Sequence, residues 1–364
     1  MPTITPDDIA DLVLLTLDDL DRMNFEQIAQ NLQDYSMMSR WLKNDKINFD
    51  DGVGIVKNLM TNLQGAAAHT GITDTDSVDI PDLMKTMRVP WVHAQTKWGY
   101  HFQTDMLMNR GKSMIVKIVE PRRLGAMVDL AEELEAKAWS LKTQANETDP
   151  LGVPAWVVFT DQAAAGFVGT GLPSGYTSLA SVTDFTNFKN WSSRYTTVSK
   201  TDLLPKMRTG HRKTRWRSPV TKSEMQSSLV EDRRYYTNET VTASLEGIGE
   251  AQNENLGRDI APYTVGPVNG ADVRNDGGFL TFRRHPIEWV PQLDDTAVFT
   301  SPANPIYQID HGCFKVACLK GDYLREGKPI MAPNQHNFFR VFVDLTYAIY
   351  CVNRRKCAVF ATGA

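Results

Sequence analysis

Towards the end of the chain Phe339, Val341, Val343, Leu345, Tyr347, Ile349 and Cys351 alternate without a break, with Arg340, Asp344 and Thr346 among the positions between them. Period-two alternation over this length predicts one long strand with a wholly apolar face. Such a strand needs an equally long partner surface and ties distant parts of a fold together. A second long element is predicted from Ser113 to Lys142, where Leu124, Met127, Ala131, Leu134, Ala138 and Leu141 recur at spacings of three and four. Asp129, Glu132, Glu133 and Glu135 lie mainly on its other faces. That pattern predicts a helix on the order of 45 Å long at about 1.5 Å per residue, with Leu124, Met127, Ala131, Leu134 and Ala138 as its core face. Pro121 either kinks this helix or marks its first turn.

Shorter elements surround these two. Thr5-Pro6-Asp7-Asp8 ahead of Ile9, Leu12, Val13, Leu17 and Leu20 predicts an N-terminal helix, and a second helix is predicted over Phe25 to Leu42. Asp51 to Val56 reads as a turn into a short strand, and 65–88 as irregular. In that stretch Asp74, Asp76, Asp79 and Asp82 lack the glycine and terminal glutamate of a calcium loop, so they read as a solvated acidic loop. From Pro90 onward Thr96, Trp98, Tyr100 and Phe102 alternate with Lys97, Gly99, His101 and Gln103. This predicts a strand with its aromatic rings on one face, in need of a partner. Ala155 to Phe159 reads as a short buried strand, and helices are expected over Thr201 to Arg208 and 238–256. Phe279 to Arg283, Ile287 to Val290, Ile306 to Ile309 and Phe314 to Leu319 read as strands. The fold class is therefore α+β.

With 42% hydrophobic and 23% charged residues the chain has the composition of a folded globular protein. Its 39 Lys plus Arg against 43 Asp plus Glu leave a net charge of −4, which excludes a uniformly basic nucleic-acid coat and makes any nucleic-acid contact local. The most basic cluster is Arg212, Lys213, Arg215 and Arg217, just after Lys206 and Arg208. Pairing with carboxylates, within the chain or across a subunit boundary, is preferred for it over contact with nucleic-acid phosphates. Cys313, Cys318, Cys351 and Cys357 form no CxxC pair and read as buried thiols. The acidic N-terminus and the absence of an apolar run of about 18 residues predict an intracellular, soluble chain from a reducing compartment, with no membrane partner.

Gly111-Lys112-Ser113 resembles a phosphate loop, but Met106 stands where its first glycine belongs. Gly169-Thr170-Gly171 fails as a dinucleotide fingerprint at Ser174, and Ser174 fails as a nucleophile elbow at Leu172. Seven histidines are scattered without a helical metal pair; His93 and His101, brought together across a hairpin, would still lack a third ligand. No catalytic residue, cofactor site or metal ligand is predicted, so the chain is read as not being an enzyme.

Several stretches occur in a telling order. Tyr100-His-Phe-Gln-Thr-Asp105 is followed by Asn109-Arg-Gly-Lys-Ser-Met-Ile-Val116 and by Arg122-Arg-Leu-Gly-Ala-Met-Val-Asp-Leu-Ala-Glu-Glu-Leu-Glu135. Asn190-Trp191 with Tyr195, Gln252-Asn-Glu-Asn-Leu-Gly-Arg-Asp259, Pro305-Ile-Tyr307 and Cys351-Val-Asn-Arg-Arg355 come later. Over residues 90–360 this order resembles the major capsid proteins of tailed bacteriophages, with the Hong Kong 97-type fold. The resemblance implies an N-terminal arm with helices (1–88), an extended loop (89–112), a peripheral domain (113–219) containing a spine helix (113–142), an axial domain (220–330), and closing strands of the peripheral domain (331–364). It also implies that Trp98, Tyr100 and Phe102 reach a neighbouring subunit.

Members of that family assemble as pentamers and hexamers into icosahedral shells around double-stranded DNA. The resemblance therefore implies a virion protein assembled in the bacterial host cytoplasm, with a portal and weak or indirect contact with packaged DNA. A separate scaffolding protein is expected, because residues 1–88 read as folded. Cross-linking of Lys97 or Lys112 to Asn353 has no activating carboxylate to support it in the sequence. Two rival readings are an encapsulin-like nanocompartment shell and a two-domain α/β enzyme with a dispersed site.

Overall fold

The computed structural model describes residues 32–42, 47–60, 69, 84–107, 112–141, 148–161, 164–168, 188–216, 232–255, 273–276, 279–299, 301–333 and 337–363. The predicted N-terminal helix, residues 25–31 of the second, the acidic loop, Gly111, Gly169 to Gly171, Ser174 and Arg217 lie outside the described residues, and of residues 32–42, predicted as the rest of that second helix, only Met38–Trp41 is helical. The described chain begins with a helical turn, α1 (Met38–Trp41), then β1 (Asn48–Asp50) and an antiparallel pair, β2 (Gly54–Met60) and β3 (Met84–Pro90). β4 (Val92–His101) passes through a π-helical turn at Phe102–Leu107 into α2 (Lys112–Trp139). There follow α3 (Val153–Trp156), β5 (Gly166–Val168), β6 (Asn190–Tyr195), α4 (Leu203–Lys213), β7 (Arg233–Thr237) and α5 (Glu239–Asn255). The chain continues through β8 (Val273–Asp276), β9 (Phe279–Phe282), β10 (His285–Trp289), β11 (Ala303–Asp310) and β12 (Phe314–Leu319). It closes with β13 (Arg325–Glu326), β14 (Ile330–Met331), β15 (Phe338–Cys351) and β16 (Ala358–Thr362).

β15 is the long strand that the alternation predicts, and it organises the first sheet. β4 runs antiparallel along one edge, from His101 opposite Phe338 to Val92 opposite Tyr347. β12, β13 and β14 follow one another along the other edge, and β1 adds in parallel to β12. All seven alternating residues of β15 are buried. The helix α2 lies over this sheet, with Val119 and Ala126 against the Trp98, Tyr100, Phe339, Val341 and Val343 cluster. Further along, Leu130, Leu134 and Ala138 pack into the main core with Leu345, Tyr347 and Ile349. The core line of α2 is therefore Val119, Ala126, Leu130, Leu134 and Ala138. Of the predicted core face, Leu134 and Ala138 are buried, whereas Leu124, Met127 and Ala131 are only half-buried on its flank. Apolar residues occur on several faces of this helix, and the sheet selects the line that α2 buries. Pro121 lies inside α2 rather than at its start, so the Lys117 carbonyl loses its ordinary helical donor.

The second sheet runs β5-β6-β16-β11-β7-β10-β9-β8. Its strands come from stretches far apart along the chain. β5, β6 and β16 were expected with the peripheral elements and β12 with the axial ones, but β16 pairs with β6 and β11 in the second sheet while β12 pairs with β15 in the first. The division falls between β11 and β12 and again between β15 and β16, because each of these crossings is a tight turn that transfers the chain from one sheet to the other. A second core cluster joins Leu203, Leu204 and Met207 of α4 and Val241 and Leu245 of α5 to Tyr235, Ile287, Ile306 and Phe360. At Gly210 a Cβ would lie 2.5 Å from the Phe360 ring, so glycine lets α4 approach β16 closely.

Buried polar groups hold the crossings. Arg354 is buried and donates to the Trp156 and Phe188 carbonyls and to Asn190 Oδ1. Burial draws its pKa down to about 10. Lys356 and Asp310, both buried, pair at 3.6 Å across the two turns. Residues 155–159, predicted as a strand, instead leave the short helix α3, where Pro154 takes a first-turn position and Trp156 donates to the Ile349 carbonyl at 3.2 Å.

Candidate assembly surfaces

The aromatic strand finds its partner inside the subunit. Tyr100 lies opposite Phe339 and Trp98 opposite Val341, and the Tyr100 and Phe339 rings stack with centroids 5.6 Å apart. Trp98 and Tyr100 are buried, and Phe102 is half-buried against the same cluster. Burial raises the Tyr100 phenol to about 12. Trp98 Nε1 donates to Glu326 Oε1 at 3.2 Å, and Arg123 holds the same carboxylate through Nε and Nη2 at 3.2 and 3.0 Å. Beside it Arg122 Nη1 donates to Asp105 Oδ2 at 2.6 Å and to the Gly99 carbonyl at 3.1 Å. The expectation that Trp98, Tyr100 and Phe102 reach a neighbour is thus corrected. The apolar face of β15 satisfies them, so residues 92–101 belong to the first sheet instead of projecting from it.

The element that does stand apart lies upstream. β2 and β3 pair from Gly54 opposite Pro90 to Met60 opposite Met84, and among the described residues neither joins another sheet. Ile55, Leu59, Met87 and Val89 turn one face into the main core. The other face presents Val56 (50% exposed), Met60 (53%) and Met84 (52%), interleaved with Asn58, Thr86 and Arg88. An apolar row on a two-stranded ribbon is poorly stable in water on its own account and suits burial against another surface.

A buried carboxylate fastens the segment that precedes this ribbon. Glu135, wholly buried on α2, accepts from Met38 N at 2.9 Å, Met37 N at 3.2 Å, Ser36 Oγ at 3.3 Å and Trp139 Nε1 at 2.9 Å. It caps the amino end of α1, which has no side-chain cap of its own. Glu132 accepts from Leu32 N at 3.4 Å and Tyr35 Oη at 3.5 Å. Burial outweighs the four donors and raises the Glu135 pKa above its ordinary value. Sequence reasoning assigns Glu135 to a polar face of the helix; its separation of about 100 residues from its partners left no local signal.

The remaining predicted groups are dispersed. Arg212, Lys213 and Arg215 are exposed at the carboxyl end of α4, where cations complement the helix dipole. His93 and His101 lie on one strand, β4, and are therefore roughly 27 Å apart along it instead of facing across a hairpin. His93 Nδ1 lies 2.9 Å from Thr346 Oγ1, and the His101 ring packs 4.9 Å from that of Phe338. A cleft of about 440 Å³ opens between β4 and α2, but its Lys137 is already paired with Asp149 at 3.1 Å. All four cysteines are buried, as the spacing predicts. Among the described residues no helix is long and apolar enough to cross a membrane.

No protein-family profile and no curated protein matches the sequence. Solved structures do match. The cyanophage A-1(L) capsid asymmetric unit superposes with a TM-score of 0.56 over 93% of this chain and 96% of that one, at 10% identity. The fold is that of Hong Kong 97-type capsid proteins. The capsid of Myoviridae phage XM1 gives a TM-score of 0.53 over 95% of this chain and 97% of that one, at 7% identity. The capsid of a native GTA particle gives 0.52 over 94% and 95%, at 9% identity. Identities this low explain why the likeness is found in the backbone and missed by sequence comparison.

Proposed function

We propose that the protein is a major capsid protein that self-assembles into the icosahedral head shell enclosing the double-stranded DNA of a tailed phage. The observation that carries this reading is a capsid fold matched across nearly the whole of this chain and of each capsid chain. A structural role, with no catalytic step, agrees with functional side chains that serve packing and capping. The first sheet with α2 then forms the peripheral domain, and the second sheet forms the axial domain gathered around five-fold and six-fold positions of pentamers and hexamers. The β2–β3 ribbon takes the part of the extended loop, its Val56, Met60 and Met84 face covering a neighbouring subunit. Closed shells require such heterologous contacts to close. A separate scaffolding protein, a portal and weak contact with packaged DNA complete the set of partners; assembly takes place in the bacterial cytoplasm and the product is the virion.

Expression of the full chain, with sedimentation followed by electron microscopy, tests the reading. Uniform closed shells are expected, alone or once a scaffolding protein is supplied. A chain that stays monomeric under all such conditions contradicts it, and shells from phage-infected cells that hold protein cargo without DNA would place it among cellular compartments instead.

A further inference from the structure

The carboxyl end of α4 and the turn joining β9 to β10 meet. His211, in the last turn of α4, has its ring centroid 5.3 Å from that of His285 and 6.2 Å from that of Phe282, at the two ends of that turn. The turn itself is Arg283-Arg284, with His285 paired to Phe282 across it, and both arginines have positive φ, 50° and 69°. A two-residue hairpin turn with positive φ at both positions favours Asn-Gly, because a Cβ is strained there. Two consecutive arginines in that conformation set charge against backbone preference. Strain of this kind points towards a functional requirement.

The charge extends to both sides of the turn. Arg212, Lys213, Arg215 and Arg284 are exposed, and Arg283 and Arg355 are half-buried. The Arg355 guanidinium lies 3.8 Å from the centre of the Trp216 ring, in cation–π contact beside Arg215. Burial, and then the neighbouring Arg233, His285, Arg283 and Arg215, lower the His211 pKa to about 4.

We propose that Arg212, Lys213, Arg215, Arg283, Arg284 and Arg355 form a surface that binds the phosphodiester backbone of double-stranded DNA. Five of the six are arginine, whose planar fork matches phosphate oxygens. Among the described residues of the patch Trp216, 37% exposed, is the only exposed apolar side chain. An acidic protein partner would lack the apolar centre that protein interfaces carry. This inference rests on the shell reading only for where the DNA is met; binding itself is a property of the subunit.

The test is the affinity of the full chain for a blunt DNA duplex of arbitrary sequence, measured across a series of salt concentrations. The variant R283N/R284G removes two cations and suits the turn, and its melting temperature is measured beside its affinity so that loss of binding is separated from loss of fold. The slope of log affinity against log salt should become shallower by roughly 1.8, the release expected for two phosphate contacts. R212E/K213E should abolish binding at moderate salt. Unchanged affinity and slope in both variants overturn the inference, as does a parent protein that binds polyglutamate more tightly than DNA. Shell formation is scored on the same preparations. Shells with unchanged DNA binding sink only this inference, whereas altered DNA binding in a chain that never forms shells sinks only the shell reading.

Discussion

At the residue scale the most informative side chain is Glu135. Its carboxylate replaces the missing cap of α1, so Glu135→Ala should leave Met37 and Met38 N–H groups without acceptors and cost on the order of 3 kcal/mol. Hydrogen exchange should show loss of protection at those two amides while the strands of the first sheet keep theirs; retained protection would contradict the capping role. The pKa of Glu135 in the fold lies above its ordinary value near 4.5, so the folded protein holds this proton more tightly than the unfolded chain does. The stability this group contributes is complete below that ordinary value and is lost as pH rises through the folded pKa. Glu135→Gln, which cannot ionise, should flatten that part of the stability profile, and denaturation at a series of pH values checks it. Trp98 makes a complementary case. Because it is buried within its own subunit, Trp98→Ala should destabilise the monomer by roughly 3–5 kcal/mol in chemical denaturation. Near-parental stability combined with failed assembly would restore it to an interface.

At the scale of elements, the strands and helices with strong periodicity were legible. β15, β12, β10, β11 and the long α2 fall where their patterns place them, since burial on one face of a regular element leaves a repeating trace in sequence. Pairing was not legible. The aromatic face of β4 and the apolar face of β15 are both evident in the sequence, yet nothing in either says that each is the partner of the other. Read separately, each face still needs a partner, and the sequence alone does not supply it. β3 also escaped notice, since Met84-Lys-Thr-Met-Arg-Val-Pro90 mixes its faces and ends in proline. The ribbon it forms with β2 yields the sharpest prediction at this scale. Val56→Asp with Met60→Asp changes two exposed residues, so the melting temperature should stay within a few degrees of the parent while shell yield collapses. Normal shells from this variant would remove the ribbon from the assembly contacts.

At the scale of the molecule, two sheets joined by two tight crossings make one subunit whose polar groups are largely spent on holding it together. Arg354 and the Lys356–Asp310 pair sit at those crossings and fix how one sheet meets the other. The fold class was within reach of the sequence, because the long strand and the long helix that organise it leave periodic traces. Sheet membership was not, because the chain returns to each sheet after long excursions and strand pairing depends on contacts remote in sequence. The most direct test of the account is an electron cryo-microscopy map of particles formed by the full chain. The expected map is a closed icosahedral shell in which the Val56, Met60 and Met84 face of the β2–β3 ribbon lies on an adjacent subunit and the Trp98 ring lies inside its own. A soluble monomer without particles, or a shell in which Val56, Met60 and Met84 touch no adjacent subunit, would contradict it.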